Sequence, residues 1–253
     1  MRPWLTPALV AVICCLCPQL AFAQAAEAKH HWSYEGASGP KHWGDLKTEY
    51  ATCKTGKHQS PIDIRNAKPA DLPPIEFSYA PAAYKIIDNG HSVQVNVERG
   101  SFISVDGRRF YLAQFHFHHP SEEKIQGHSF PMVAHLVHKD ADEKFAVVAV
   151  LLKTGHENPF IETLWKNLPA DVGQEHAPEG ATVELTQLLP ANRAYYTFTG
   201  SLTTPPCSED VTWLVLKNPV EISKPEEAAF AAKHAHNARP VQPLNGRSVQ
   251  VSR

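Results

Sequence analysis

The sequence contains no Asn-x-Ser/Thr acceptor site, no run of basic residues, no internal repeat and no low-complexity linker. The missing acceptor site weakly favours a bacterial exported route over a eukaryotic secretory one. Without a basic run or a basic amphipathic helix, neither nucleic acid nor a membrane surface is an expected partner. Without a repeat or linker, the 253 residues do not divide into several domains. Long helices are also excluded, because 21 prolines interrupt the chain throughout. Cysteine is scarce, at five residues, and three of these (Cys14, Cys15 and Cys17) fall in the first 23 positions.

Those positions, MRPWLTPALVAVICCLCPQLAFA, carry Arg2, then an apolar stretch, then the small-residue ending Ala21-Phe22-Ala23. This is the pattern of a secretory signal peptide at 1–23, and its apolar core is short for a membrane span. The expected mature domain is 24–253, with 23 basic against 26 acidic side chains. It is expected in the periplasm, with secretion as second expectation, and free of the membrane once the leader is removed. Cys53 and Cys207 remain. An even pair in an exported chain implies one disulfide. It would be worth roughly 4–5 kcal/mol in the chain-entropy model.

The rest of the chain alternates short apolar runs with Pro, Gly and Asn. Ser92-Val-Gln-Val-Asn-Val has the period of two that marks a strand. Ser101-Phe-Ile-Ser-Val, the turn pair Asp106-Gly107, and Arg109-Phe-Tyr-Leu together predict a hairpin. Phe115-His-Phe-His and Val133-Ala-His-Leu-Val-His predict further strands. Phe145–Leu152 and Val211–Leu216 are continuous apolar runs, suited to strands buried on both faces. Helical signals are confined to 159–167 and to 224–236, which starts Lys-Pro-Glu-Glu. The fold class expected is mainly β, with one large central sheet and short peripheral helices.

Residues 112–124, LAQFHFHHPSEEK, crowd three histidines into four positions. On a strand His116 and His118 share a face, Phe115 and Phe117 the other, and His119 leaves the shared face. A catalytic metal site of the zinc type takes three protein ligands and keeps a position for water. The strand at 132–138 could pair back antiparallel and supply the third, but its His135 and His138 face opposite ways, and spacing alone does not choose between them. A cupin-type reading of His116, His118 and Glu122 lacks a matching second motif. His234-Ala-His236 falls in a predicted helix, where positions two apart do not face each other, so both are expected at the surface.

Taken in order, His31-Trp32-x-Tyr34, Gly39-Pro40-x-His42-Trp43, Gln59–Ile64, Asn89-Gly-His91, Gln114–His118, Ser121-Glu122, His135–His138, Gly200–Pro206, Trp213 and Asn237-x-Arg-Pro240 resemble the α-class carbonic anhydrases over nearly all of the mature chain. Cys53 and Cys207 also match the bridge of exported members. The resemblance implies a twisted, mostly antiparallel sheet of about ten strands and Zn2+ held by His116, His118 and His135. It implies reversible hydration of carbon dioxide to bicarbonate and a proton by zinc-bound hydroxide. Thr203 and Glu122 would orient the nucleophile, and His91 would shuttle the proton. Val137, Val147, Leu202 and Trp213 would form the wall for carbon dioxide, Thr203 and Thr204 would meet bicarbonate, and Tyr34 and Gln94 would help order water. A homodimer is compatible with this reading. The alternative is a non-catalytic zinc-binding domain of the same fold.

Gln114 and the Asn237 carbonyl match the residues that hold the far nitrogens of His116 and His118. The sequence departs from the family at His135. The usual glutamate two residues before it is Val133 here, and Glu123 stands where a histidine is common. The paired change predicts that Glu123 supplies the missing carboxylate; the alternative is a solvated Glu123, with His135 held by water or a backbone carbonyl. Phe198 also stands where tyrosine is common.

Overall fold

The computed structural model describes residues 31–253. The expected leader lies outside the described residues. Ten strands follow one another across the main sheet: β1 (Lys68–Ala70), β2 (Ala82–Asp88), β3 (Val93–Val97), β4 (Arg108–His118), β5 (Met132–Lys139), β6 (Phe145–Thr154), β7 (Glu175–His176), β8 (Tyr195–Ser201), β9 (Glu209–Leu216) and β10 (Gln250–Ser252). Their order is β7-β2-β3-β4-β5-β6-β9-β8-β10-β1, and four short strands attached at the sides bring the sheet to fourteen. Along this path, only β6–β9 and β10–β1 pair parallel, so the sheet is mostly antiparallel, as expected. A small second sheet joins Asp63–Ile64, Lys124–Ile125 and His128–Ser129.

The local chemistry of the turns explains the strand boundaries. Between Phe102–Val105 and β4, Asp106 and Gly107 both take positive φ, at 49° and 72°. That is the two-residue turn whose twist matches antiparallel strands, and it favours Asp-Gly. β4 and β5 then pair so that His116 faces His135 and Val133 faces His118. The register slips between Val137 and His138. His138, three residues beyond His135, points to the opposite side of the sheet, where its Nε2 shares a hydrogen bond of 2.8 Å with the Tyr79 hydroxyl.

The continuous apolar run in β6 has its reason in the layering. Ala146, Val148, Val150 and Leu152 face one apolar cluster, while Val147, Ala149 and Leu151 face a second. The first and larger cluster is closed by α1 (Pro159–Lys166) and α2 (Lys224–His234), through Phe160, Leu164 and Phe230. Asn158 caps α1 by accepting from Phe160 and Ile161 N–H, with Pro159 in the first turn. Ser223 and Glu226 form a reciprocal capping box on α2. The second cluster lies on the side of the clustered histidines and includes Val137, Val147, Phe198 and Trp213.

α2 ends at His234, so His236 lies beyond it and is exposed, as expected. His234 corrects the sequence reading. Its side chain is only 8% exposed, and its Nε2 sits 3.0 Å from Asp88 Oδ1. Spacing within the helix could not show that this last turn docks on β2. Among the described residues, no helix is long and apolar enough to cross a membrane.

Candidate metal centre

Cross-strand register brings together what the sequence separates. His116 and His118 stand two apart on β4, and His135 lies opposite His116 on β5. One ring nitrogen from each comes within 4.8 Å of the others, so the three could hold a metal ion.

The opposite nitrogen of each ring is engaged. His116 Nδ1 meets Gln114 Oε1 at 2.8 Å, and His118 Nδ1 donates to the Asn237 carbonyl at 2.7 Å. His135 Nε2 meets Glu123 Oε1 at 3.0 Å and Oε2 at 3.3 Å. Val133, two residues before His135, is buried in the second apolar cluster and offers no acceptor. These contacts leave Nε2 of His116, Nε2 of His118 and Nδ1 of His135 for a ligand. His118 Nε2 is buried with no hydrogen-bond partner among the described residues, and so is Glu122 Oε2. Orphaned buried polar atoms are costly unless a further group satisfies them. Three imidazoles aimed at one point fit a metal of borderline softness.

Electrostatics separate the three rings. Burial pushes His116 down to about 3, with the neighbouring His135 adding to the effect. His118 is driven well below its usual value, first by burial and then by His135 and His116. Both are therefore neutral, as a metal requires. Burial also disfavours charge on His135, but Glu123 and then Glu122 outweigh it and raise the ring. Without a metal, burial lifts Glu122 to about 7, opposed by His135, Thr203 and the Arg239 N–H. That N–H donates to Glu122 Oε1 at 2.7 Å and fixes the carboxylate.

Thr203 is buried beside Glu122, while Thr204 and Leu202 remain partly exposed. Val137 pairs with Val147 across β5–β6, and Val147 pairs with Trp213 across β6–β9, so these apolar side chains form one wall. Phe198 stacks on Trp213 with the ring planes 4° apart. Cys53 and Cys207 are joined in a disulfide, as expected. His119 turns away from the cluster and contacts the Ala235 carbonyl at 2.8 Å.

His91 follows Gly90, whose φ of 82° makes the turn. Its ring stacks on Trp32 at 3.6 Å between centroids, and His31 stacks at 5.0 Å. Burial, then His31 and His234, lower it to about 4. Trp32 and Arg239 fall within the matched motifs, but no pattern in the sequence gives either a role. Their signal was an aromatic and a cation in otherwise matched segments.

Comparison with known proteins agrees with this geometry. Residues 38–253 match the family model described as eukaryotic-type carbonic anhydrase. A carbonic anhydrase of Pectobacterium carotovorum is 42% identical over 250 residues, covering 98% of this chain and 99% of the relative. The α-carbonic anhydrase of Thermovibrio ammonificans, solved with the inhibitor sulfanilamide, superposes with a TM-score of 0.84 at 46% identity, covering 88% of this chain and 99% of that one. A hyperthermostable carbonic anhydrase from a hydrothermal vent chimney gives 0.85 at 47% identity, covering 88% and 100%. A match this long, falling on the strands that gather the three histidines, makes the chain an enzyme of the eukaryotic-type, or α-class, carbonic anhydrase family.

Proposed function

We propose that the chain interconverts carbon dioxide and bicarbonate, taking carbon dioxide and water to bicarbonate and one proton, with zinc held by His116, His118 and His135. The observation that carries this is the convergence of three imidazoles whose other nitrogens are all held by acceptors. Bound zinc would supply Lewis acidity and bring a water molecule's pKa to about 7, a value for which this enzyme class is itself the standard example.

The remaining work falls to the chain. Carbon dioxide has no net dipole, so the wall of Val137, Val147, Leu202 and Trp213 takes it up by replacing water. Thr203 donates its hydroxyl proton to Glu122 and accepts from the attacking oxygen. That fixes the direction of the oxygen lone pair toward the carbon. Glu122 must be an acceptor for this, and its anchoring by Arg239 N–H keeps it aimed. Thr204 meets the bicarbonate at the cleft. His91 passes the released proton toward solvent, an ordinary task for an imidazole. In its stacked pose burial disfavours the charged form of the ring. Glu123, Gln114 and the Asn237 carbonyl orient the three ligand rings.

The disulfide supports an oxidising compartment, and we place the mature protein in the periplasm after removal of 1–23. The test is stopped-flow hydration of carbon dioxide from about pH 6 to about pH 9, with zinc content quantified. A fast rate that rises through neutrality with one zinc per chain is the expected result. Full zinc without hydration would favour the non-catalytic zinc-binding reading instead.

A further inference from the structure

We propose that Asp88 and His234 form a buried positioning pair that holds the turn carrying His91, and so keeps proton release efficient. This rests on the reading of His91 as the proton carrier. Asp88 closes β2 and is 2% exposed. Its Oδ1 accepts from His234 Nε2 at 3.0 Å and from the backbone N–H of Gly90, the residue before His91, at 3.0 Å. Lys233 Nζ stands 3.6 Å from its other oxygen. One carboxylate therefore joins the last turn of α2 to the turn of residues 88–92.

The same turn is tied at its other end. Asn89 Oδ1 accepts from the N–H of His91 and of Ser92, both at 2.9 Å. Just beyond α2, Asn237 Nδ2 donates to the His91 carbonyl at 3.0 Å, while its own carbonyl receives His118 Nδ1. The segment from His234 to Asn237 thus serves both the metal cluster and the turn of His91, and the Asp88 contact is the part directed at the turn alone. A buried carboxylate and imidazole contribute little net stability compared with an apolar pair of the same size. Their value is in fixing one arrangement of the turn. Around the His91 ring stand His31, Trp32 and Tyr34 from the N-terminal segment, and His234 acts on it electrostatically. Asp88 in its own turn and Lys233 on α2 complete the charged groups about the pair.

The test compares His234→Leu with His234→Gln in the zinc-loaded enzyme. Leucine removes the donor, whereas glutamine keeps an N–H that can reach Asp88. In His234→Leu, kcat for hydration should fall about 3–10-fold, the scale of one lost buried hydrogen bond, while kcat/KM stays within about 2-fold. Added imidazole buffer should restore kcat, and His234→Gln should retain most of it. An unchanged kcat, equal losses in both variants, or a parallel fall in kcat/KM would each overturn the proposal. Should His234→Leu fail to fold, His234→Met removes the donor with a more adaptable side chain. An NMR titration of the His91 ring reads the same pair without turnover. Its titration should move in the leucine variant and move less in the glutamine variant, and identical titrations in all three would overturn the pair. A wild-type protein that does not hydrate carbon dioxide would instead overturn the proposed function, leaving the titration to judge the turn.

Discussion

Glu123 reaches His135 from a different stretch of backbone than Val133 would have used. It sits just before Lys124–Ile125, which pairs parallel with Asp63–Ile64, and it is fully buried. A buried carboxylate at this distance raises the ring's basicity and fixes its orientation. Under the zinc reading, Glu123→Ala should weaken zinc affinity about 10–100-fold, with Glu123→Gln in between because it keeps an acceptor without the charge. Competition with a chelator measures this, and an alanine variant that holds zinc like wild type would remove the role. His91 yields a second prediction. Trp32 covers one face of the ring, and burial is the largest cause of its fall to about 4. Trp32→Ala should return the ring toward the ordinary imidazole value of about 6.5, read by NMR titration. No such movement would mean that the stack does not control the proton affinity. At this scale the sequence showed which histidines share a face, because period-two alternation is local. It left His135 and His138 undecided, because cross-strand register is not. His234 was misread for the same reason: its partner Asp88 lies on another element.

The loop at 202–208 is closed on itself by two backbone hydrogen bonds. Leu202 N–H donates to the Ser208 carbonyl at 2.9 Å, and Cys207 N–H to the Thr204 carbonyl at 2.8 Å. The disulfide then ties it to the single helical turn Thr52–Thr55, and Gln59 and Arg239 brace the two cysteine carbonyls at 3.1 and 3.2 Å. Thr203, proposed above to aim the nucleophile, lies inside this loop, so reduction should loosen it before the sheet is affected. We expect hydration activity to fall on reduction while far-UV circular dichroism is retained. Activity and far-UV signal that vanish together would show that the bridge holds the fold rather than the loop. Strands of five residues or more with clear alternation or a doubly buried run, such as β3, β4 and β6, were readable in advance. The two- and three-residue strands at the sheet margins were not. They exist by pairing with a neighbour, as Val220–Ile222 does with β6, and carry too few residues to show a period.

Across the whole molecule, a sheet with an apolar cluster on each side buries histidines in both layers. On the side of the histidine cluster His118 and His135 are buried and His116 half-buried, and on the other His138 stands against Tyr79. Burial lowers His138 to about 4 and His116 to about 3, and drives His118 well below its usual value. A histidine whose folded pKa is depressed favours the fold while neutral. Its contribution is present above the unfolded value of about 6.5 and is lost as pH falls from there toward the folded value. For His138 alone this amounts to roughly 3 kcal/mol, at about 1.4 kcal/mol per pKa unit. His135 has the opposite sign. Its raised pKa contributes below about 6.5 and fades as pH rises through the folded value, offsetting part of the slope. Depressed rings at His91, His116, His118, His138 and His234 outweigh the two groups of opposite sign, His135 and the raised Glu122, and make the metal-free protein acid-labile. Under the zinc reading, the ion would bind the neutral rings of His116, His118 and His135, so it should add stability above the same window and lose it within it. Thermal melts from about pH 8 to about pH 5, with zinc and with chelator, should show Tm falling in both series. The zinc-dependent gap should narrow toward the acid end. His138→Gln should flatten the chelated series, because it removes a buried ionisable group that no metal touches. A Tm independent of pH between about 7 and 5 in the chelated protein would mean that these rings are not held neutral by the fold.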